Sequence, residues 1–234
     1  TKAQQVLNEL PARNVVCWSA LIAGYTQEGQ GHEALNCFVR MQQEGISSNE
    51  IVFVCVLKAC GSIGAIDKGQ EMHTEVARNR LLEKNKIMGS AIVDMYVKCG
   101  FLTKAREVFD KLLVRNVVCW TTLITGYVEH GHGEEALDLF EQMGSEGISP
   151  NAVTYVSCLR ACGSIEAIEK GQTMHGHIER TGLLESDGTI GNALVDMYAK
   201  AGLLTKAQDV FDKLPIQNVF SWNALISGYV EYKH

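Results

Sequence analysis

The histidines and cysteines are the residues of this chain whose chemistry best suits metal binding or catalysis. His177 and Glu179 form an H-x-E pair, which is the first half of a zinc deaminase signature. The second half, P-C-x-x-C, is absent, because the closest cysteines stand four or five residues apart. His73 and His175 have no neighbouring ligands at zinc spacing, and there is no phosphate-binding P-loop. The sequence therefore predicts no metal, no cofactor and no catalytic residue.

Composition and charge exclude several classes of protein. The 234 residues are 46% hydrophobic and 21% charged, which is enough for a folded core and too apolar for a disordered chain. No apolar run approaches the roughly 18 residues of a membrane-spanning helix, so we expect no membrane insertion. The net charge of −6 argues against a broadly basic surface, although not against a binding groove on one face. The eight cysteines are expected to be reduced and structural.

An internal repeat of 102 residues sets the organisation of the chain. The sequence RNVVCW at residues 13–18 returns at residues 115–120, and QNVFSW follows at residues 217–222. Each unit divides further into segments of 35, 36 and 31 residues. The predicted segments are 15–49, 50–85, 86–116, 117–151, 152–187 and 188–218, with partial segments at 1–14 and 219–234.

Each segment carries two helical patterns. In the first segment, Trp18, Leu21 and Tyr25 follow the spacing of one helix face, and Leu35 and Phe38 continue it after a turn that contains glycine. Apolar residues do not alternate with period two for long, so strands are not expected. Short connections between helix pairs predict an α-solenoid. We expect the three tryptophans to lie in its core.

Three motifs and the segment lengths resemble the pentatricopeptide repeat family. The motifs are LKACGS at residues 57–62, GNALVDMYAK at 191–200, and EAL at 33–35 followed by Phe38. The 35/36/31 rhythm resembles the plant-type PLS subclass, in which P, L and S repeats alternate along the chain. Residues 15–49 and 117–151 would then be P repeats, 50–85 and 152–187 L repeats, and 86–116 and 188–218 S repeats, with a partial S repeat at 1–14 and a partial P repeat at 219–234. The resemblance implies an all-α, right-handed α-solenoid superhelix, of which this chain is expected to be a fragment.

The resemblance also implies a function. It implies sequence-specific binding of single-stranded RNA in chloroplasts or mitochondria, as a specificity factor for C-to-U RNA editing. The chain is not expected to be an enzyme, because the editing chemistry of this family belongs to a C-terminal deaminase-like domain. The implied partners are the multiple organellar RNA editing factor proteins. Two alternatives stay open: a protein-interaction scaffold of tetratricopeptide type, and binding of editing factors through L repeats with little RNA affinity alone.

In this family a base is recognised by the fifth and last residues of each P and S repeat. The pairs carried onto this chain are Ser19 with Asn49, Ser90 with Asn116, Thr121 with Asn151, and Asn192 with Asn218. The L repeats have the weaker pairs Val54 with Asn85 and Val156 with Asp187. Asparagine offers a donor and an acceptor to the edge of adenine or cytosine, and a short hydroxyl at the fifth position leaves room for a purine. The predicted preference is A-x-A-A-x-pyrimidine.

Further residues are expected at the RNA, and each set has an alternative interpretation. The aliphatic second residues expected to pack on bases are Val16, Ile87 and Val118, and the residues expected near phosphates are Lys58, Lys98, Arg160 and Lys200. The alternatives are ordinary helix packing for the aliphatic residues, solvated surface positions for the basic residues, and helix N-capping for the asparagines. The apolar helix at 219–234 also predicts head-to-tail self-association with residues 1–14 of another chain.

Overall fold

The computed structural model describes residues 13–84, 86–186 and 188–232, together with Lys2, Gln5 and Glu9. These residues lie in helices joined by short turns, and no strand is found among them. From residue 13 onward the helices are α1 (Val15–Gln27), α2 (Gly31–Gln43), α3 (Glu50–Ile63), α4 (Ile66–Arg78), α5 (Leu81–Lys84), α6 (Lys86–Lys98), α7 (Leu102–Lys111), α8 (Val117–Glu129), α9 (Gly133–Ser145), α10 (Ala152–Ser164), α11 (Ile168–Thr181), α12 (Leu183–Ser186), α13 (Gly188–Lys200), α14 (Leu204–Lys213) and α15 (Val219–Glu231). The predicted all-α architecture of stacked helix pairs is confirmed.

The chain divides into two compact units, Thr1–Leu123 and Ile124–His234, and the division falls inside α8. In the first unit α1 contacts α3, and α3 contacts α6, so the first helices of successive pairs form one layer. The second helices α2, α4 and α7 each pack against the first helix of their own pair. In the second unit α10, α13 and α15 form the corresponding layer of first helices.

The first helices can stack closely because glycine, which has no side chain, lies at their contacts. A Cβ added to Gly61 of α3 would stand 3.3 Å from the Cα of Met95 in α6. A Cβ added to Gly163 of α10 would stand 3.3 Å from the Cα of Met197 in α13. Because the obstacle is backbone, it cannot turn away, and the 102-residue repeat places glycine at both contacts.

The tryptophan prediction holds for two of the three residues. Trp18 and Trp120 are 0% and 1% exposed, and the indole N–H of Trp18 donates to Glu44 Oε2 at 3.3 Å. Trp222 is 47% exposed, so its predicted place in the core is wrong. It packs edge-on against Phe211, with ring centroids 4.6 Å apart, but no helix of the described part follows α15 to cover its other side.

The cysteines and several other predictions can be placed on this fold. All eight cysteines are free, and burial raises the pKa of Cys60 to about 12 and of Cys162 to about 11. No described helix has the length and apolar character needed to cross a membrane. Asn85 and Asp187, and most of the segment 1–14 invoked for self-association, lie outside the described residues.

Candidate nucleic-acid interface

The last residue of a predicted repeat caps the first helix of the next repeat. Asn49 Oδ1 accepts a hydrogen bond from the backbone N–H of Val52, and Asn116 Oδ1 accepts one from Cys119, both at 2.9 Å. The same N-capping is made by Asn14, Asn151 and Asn218. Each asparagine therefore uses its side-chain oxygen to satisfy backbone donors that a helix N-terminus leaves without partners. The N-capping interpretation is confirmed for these five residues.

Capping leaves the other half of each amide available. Among the described residues, the side-chain NH₂ groups of Asn49, Asn116, Asn151 and Asn218 have no hydrogen-bond partner. The side-chain oxygen is committed to the helix, whereas the two N–H donors are free for a ligand. The asparagine is thus held in one orientation by the fold and presents a donor, rather than the donor and acceptor together that sequence reasoning assigned to it.

The fifth residues of three predicted repeats are small and nearly buried. Ser19, Ser90 and Thr121 are 6%, 9% and 8% exposed. The Ser19 hydroxyl lies 2.6 Å from the carbonyl oxygen of Val15 and 3.3 Å from Asn49 Oδ1. We call the fifth and last residues of one repeat a recognition pair. The structure brings Ser19 and Asn49 of the first pair into hydrogen-bond distance.

The pair Ser90 and Asn116 is arranged differently. The Ser90 hydroxyl lies 2.8 Å from the sulfur of Cys119, and the backbone N–H of Cys119 caps onto Asn116. Cys119 therefore touches both members of the pair. Sequence reasoning missed this residue, although its position three residues after Asn116, where capped N–H groups fall, was a usable signal.

The fifth residue of the predicted repeat 188–218 is Asn192, whose side-chain oxygen is buried and has no hydrogen-bond partner within the described ranges. A buried acceptor left without a donor costs about 1–3 kcal/mol, and a ligand donor can reach this oxygen when the side chain turns outwards. At the same place in the L-type segments, Val54 and Val156 are half-buried and offer no polar atom.

The aliphatic second residues are exposed. Val16, Ile87 and Val118 are 67%, 62% and 55% exposed, so the alternative of helix packing in the core is wrong for them. The equivalent Ile51, Val153 and Phe220 are also exposed. Six of the seven first helices in the described ranges therefore present an apolar second residue to solvent within their first turn, three residues before the fifth position. In α13 the second residue is Thr189.

The four basic residues fall into two classes. Lys98 is paired with Asp94 at 2.9 Å, and Lys200 is paired with Asp196 at 2.7 Å, each one helical turn back. Lys58 and Arg160 are exposed, and no carboxylate of the described ranges lies within ion-pair distance of either. The charges of Lys98 and Lys200 are therefore partly neutralised, whereas Lys58 and Arg160 present their full charge to an anion.

The histidines that suggested metal chemistry are engaged in packing. Nδ1 of His73 lies 3.0 Å from the hydroxyl of Tyr96, and Nδ1 of His177 lies 2.6 Å from the hydroxyl of Tyr155. Burial, reinforced by Lys111 and Lys104, lowers the pKa of His73. In the parts of the chain that the structure describes, no three His, Cys, Asp or Glu side chains are grouped to hold a metal ion.

Two family models match the chain: the PPR repeat family at residues 13–62 and 115–164, and the PPR repeat at residues 90–117 and 192–219. The chain belongs to the pentatricopeptide repeat (PPR) family. A chloroplastic pentatricopeptide repeat-containing protein of Arabidopsis thaliana is 39% identical to this PPR chain over 226 residues, covering 97% of the chain and 36% of the relative. A mitochondrial member from the same plant is 37% identical over 227 residues, covering 97% of the chain and 40% of the relative. The chain thus spans two fifths or less of the length of these relatives.

A solved structure shares the PPR fold of this chain. The crystal structure of the maize pentatricopeptide repeat protein PPR10 in complex with an 18-nt psaJ RNA element aligns with a TM-score of 0.78. The alignment covers 99% of this chain and 34% of that chain at 16% sequence identity. At this identity the similarity establishes the fold.

Proposed function

We propose that this chain is part of a PLS-type PPR protein that binds single-stranded RNA, with one base for each recognition pair. The observation that carries the proposal is the contact of Ser19 with Asn49, at 3.3 Å, beside an asparagine NH₂ group that has no partner among the described residues. Support also comes from PPR10, which has this fold and was crystallised with RNA.

The geometry of the first recognition pair suits adenine. The Ser19 hydroxyl donates to the Val15 carbonyl at 2.6 Å, so its oxygen retains lone pairs that can accept from a base. The free N–H donors of Asn49 can bind a base acceptor. Adenine presents an acceptor, N1, beside a donor, its N6 amino group, and so matches both atoms. Cytosine has the same order of groups on a smaller ring, and the short serine leaves the space that favours the purine.

The last recognition pair suits a pyrimidine. Asn192 is longer than serine, and its orphaned oxygen accepts from the amino group of cytosine or the N3–H of uracil. The free N–H donors of Asn218 then bind the adjacent base acceptor. This contact also relieves the cost of a buried oxygen without a donor. The full preference remains A-x-A-A-x-pyrimidine, with Val54 and Val156 placing no hydrogen bond on the second and fifth bases.

Two sets of exposed residues complete the proposed interface. Val16, Ile87 and Val118 pack their aliphatic surface on the bases, and this contact is sequence-tolerant because every base has an apolar face. Lys58 and Arg160 bind phosphates, and Lys98 and Lys200 contribute less because each already has a carboxylate. With a net charge of −6, non-specific affinity is low and binding depends on base contacts.

The biological setting that we propose is organellar RNA processing. Relatives that match nearly the whole chain are named chloroplastic or mitochondrial, and the 35/36/31 segment rhythm favours a role in selecting C-to-U editing sites. In this role the chain binds RNA and does not catalyse, and organellar RNA editing factors are its protein partners.

An unbiased selection from a random RNA pool tests the proposed function. The pool is incubated with the chain alone and with the chain plus an editing factor, and the bound RNA is sequenced. Enrichment of A-x-A-A-x-pyrimidine by the chain alone supports the proposal. Enrichment only with the partner favours the alternative in which L repeats bind editing factors. No enrichment in either sample would favour a protein-interaction scaffold.

A further inference from the structure

The third residue of each following repeat lies at the junction of a recognition pair. In four junctions this residue donates its backbone N–H to the capping asparagine oxygen, at 2.9 to 3.2 Å. These residues are Val52, Cys119, Thr154 and Ser221. The backbone contact is thus constant, while the side chain changes from aliphatic to thiol to hydroxyl.

The fifth residue has different contacts at two junctions that differ in this side chain. Val52 is fully buried and has no polar side-chain atom, and at this junction the Ser19 hydroxyl lies within 3.3 Å of Asn49 Oδ1. Cys119 is also fully buried, and its sulfur lies 2.8 Å from the Ser90 hydroxyl. Two recognition pairs of identical composition, serine with asparagine, therefore have different contacts, and they differ in the side chain of the third residue.

We propose that Cys119 is a positioning residue that weakens base discrimination by Ser90 and Asn116. This inference rests on the proposed function and adds a third residue to each recognition pair. A serine hydroxyl has one donor and two lone pairs, and a thiol is a weak donor and acceptor. With the Cys119 thiol as donor, the contact occupies one of the two lone pairs of Ser90, whereas Ser19 uses its donor on the Val15 carbonyl and keeps both lone pairs. The third base then receives a poorer partner than the first base does.

The reciprocal exchange of the two side chains tests this inference. Cys119→Val gives the third recognition pair the neighbour that the first pair has, and Val52→Cys gives the first pair the thiol. Cys119→Ser keeps a hydrogen-bonding group at the same place. The matched control is Cys17→Val, because Cys17 holds the same repeat position and, among the described residues, its sulfur makes no hydrogen bond to a serine hydroxyl.

The readout is the ratio of adenine to cytosine affinity, measured one base at a time on short RNA oligomers. We expect Cys119→Val to raise this ratio at the third base by roughly threefold to tenfold, the value of one modest hydrogen bond. Val52→Cys should lower it at the first base, and Cys119→Ser and Cys17→Val should leave all ratios unchanged. Thermal unfolding of each variant shows that it is folded.

Three results would overturn the inference. The first is an unchanged ratio at the third base in folded Cys119→Val. The second is an equal change at every base, which would indicate a general effect on packing. The third is a wild-type chain with no base preference at any recognition pair, which refutes the proposed function as well. In the first two results the wild-type preference persists, so the proposed function survives.

Discussion

The hydroxyl oxygen of Ser19 lies 3.3 Å from the side-chain oxygen of Asn49, although 30 residues separate them along the chain. The contact exists because α3 packs beside α1, which brings the capping residue of one first helix next to the first turn of the other. Ser19 and Asn49 therefore form one local site. This proximity gives a physical reason for two distant sequence positions to act together on one base.

Exchanging the fifth residues should exchange base preference. Asn192→Ser removes the orphaned acceptor and gives the sixth recognition pair the composition of the third. We expect its preference to change from a pyrimidine towards adenine, by up to the ~1–3 kcal/mol of a good base contact. Ser90→Asn should have the opposite effect at the third base. Affinities for oligomers with single base changes check both, and a preference that moves at any other base would show that the repeat register is wrong.

Asn49 caps α3 and is proposed to recognise a base, and two substitutions separate these roles. Asn49→Asp keeps the oxygen that caps the Val52 N–H but removes the NH₂ donors. We expect stability to be retained and adenine preference at the first base to be lost. Asn49→Ala removes both and should also lower the free energy of unfolding by about 1 kcal/mol. Denaturant unfolding and RNA titration check the two variants. A normal adenine preference in Asn49→Asp would show that Asn49 caps α3 and does not recognise a base.

Lys58 should contribute to RNA affinity without contributing to base choice. It is exposed and has no ion-pair partner among the described residues, so it can neutralise one phosphate. Lys58→Ala should weaken binding equally for all sequences and reduce the slope of log affinity against log salt by about 0.7. The control is Lys104→Ala, because Lys104 is on the second helix α7 and is paired with Glu107 at 3.2 Å. An unchanged slope in Lys58→Ala would place Lys58 away from the RNA.

Acidification should destabilise the fold through two buried histidines. Burial lowers the pKa of His73 and His175 below the ordinary value of 6.5, despite an opposing effect of Glu179 on His175. The unfolded chain then binds more protons than the folded one. The stability that the two neutral histidines contribute is therefore fully present above pH 6.5 and is lost as pH falls.

We therefore expect the midpoint of thermal unfolding to fall between about pH 7.5 and 5.5. The double variant His73→Phe, His175→Phe should be less stable at neutral pH, because Tyr96 and Tyr198 lose their partners. Its unfolding midpoint should depend less on pH over the same range. A double variant with the wild-type pH dependence would assign that dependence to other groups.

The fold could be predicted from sequence because each helix pair buries a locally repeated pattern. Trp18 and Trp120 are buried as their spacing indicates, since helical periodicity determines which face turns inwards. Trp222 has the same spacing and is exposed. Helical spacing shows which face is apolar, but it does not show whether another helix packs against that face.

The candidate site was less predictable from the sequence, because it depends on contacts between side chains of different helices. The family resemblance placed Ser90 and Asn116 together, but the sulfur of Cys119 between two helices is a tertiary contact. The commitment of Asn116 Oδ1 to capping is likewise visible only in the hydrogen bonds. His177 resembled half of a deaminase motif, and the structure pairs it with Tyr155 instead.

The most direct test of the proposed function is a titration of the chain with two labelled RNA oligomers of equal length. One contains A-x-A-A-x-pyrimidine and the other is poly-U, and both are measured over a range of salt concentrations. The recognition pairs predict tighter binding to the first oligomer at every salt concentration, with a difference that persists as salt rises because it comes from base contacts. Equal affinity for both oligomers, or no binding to either at low salt, would contradict recognition of RNA by these pairs.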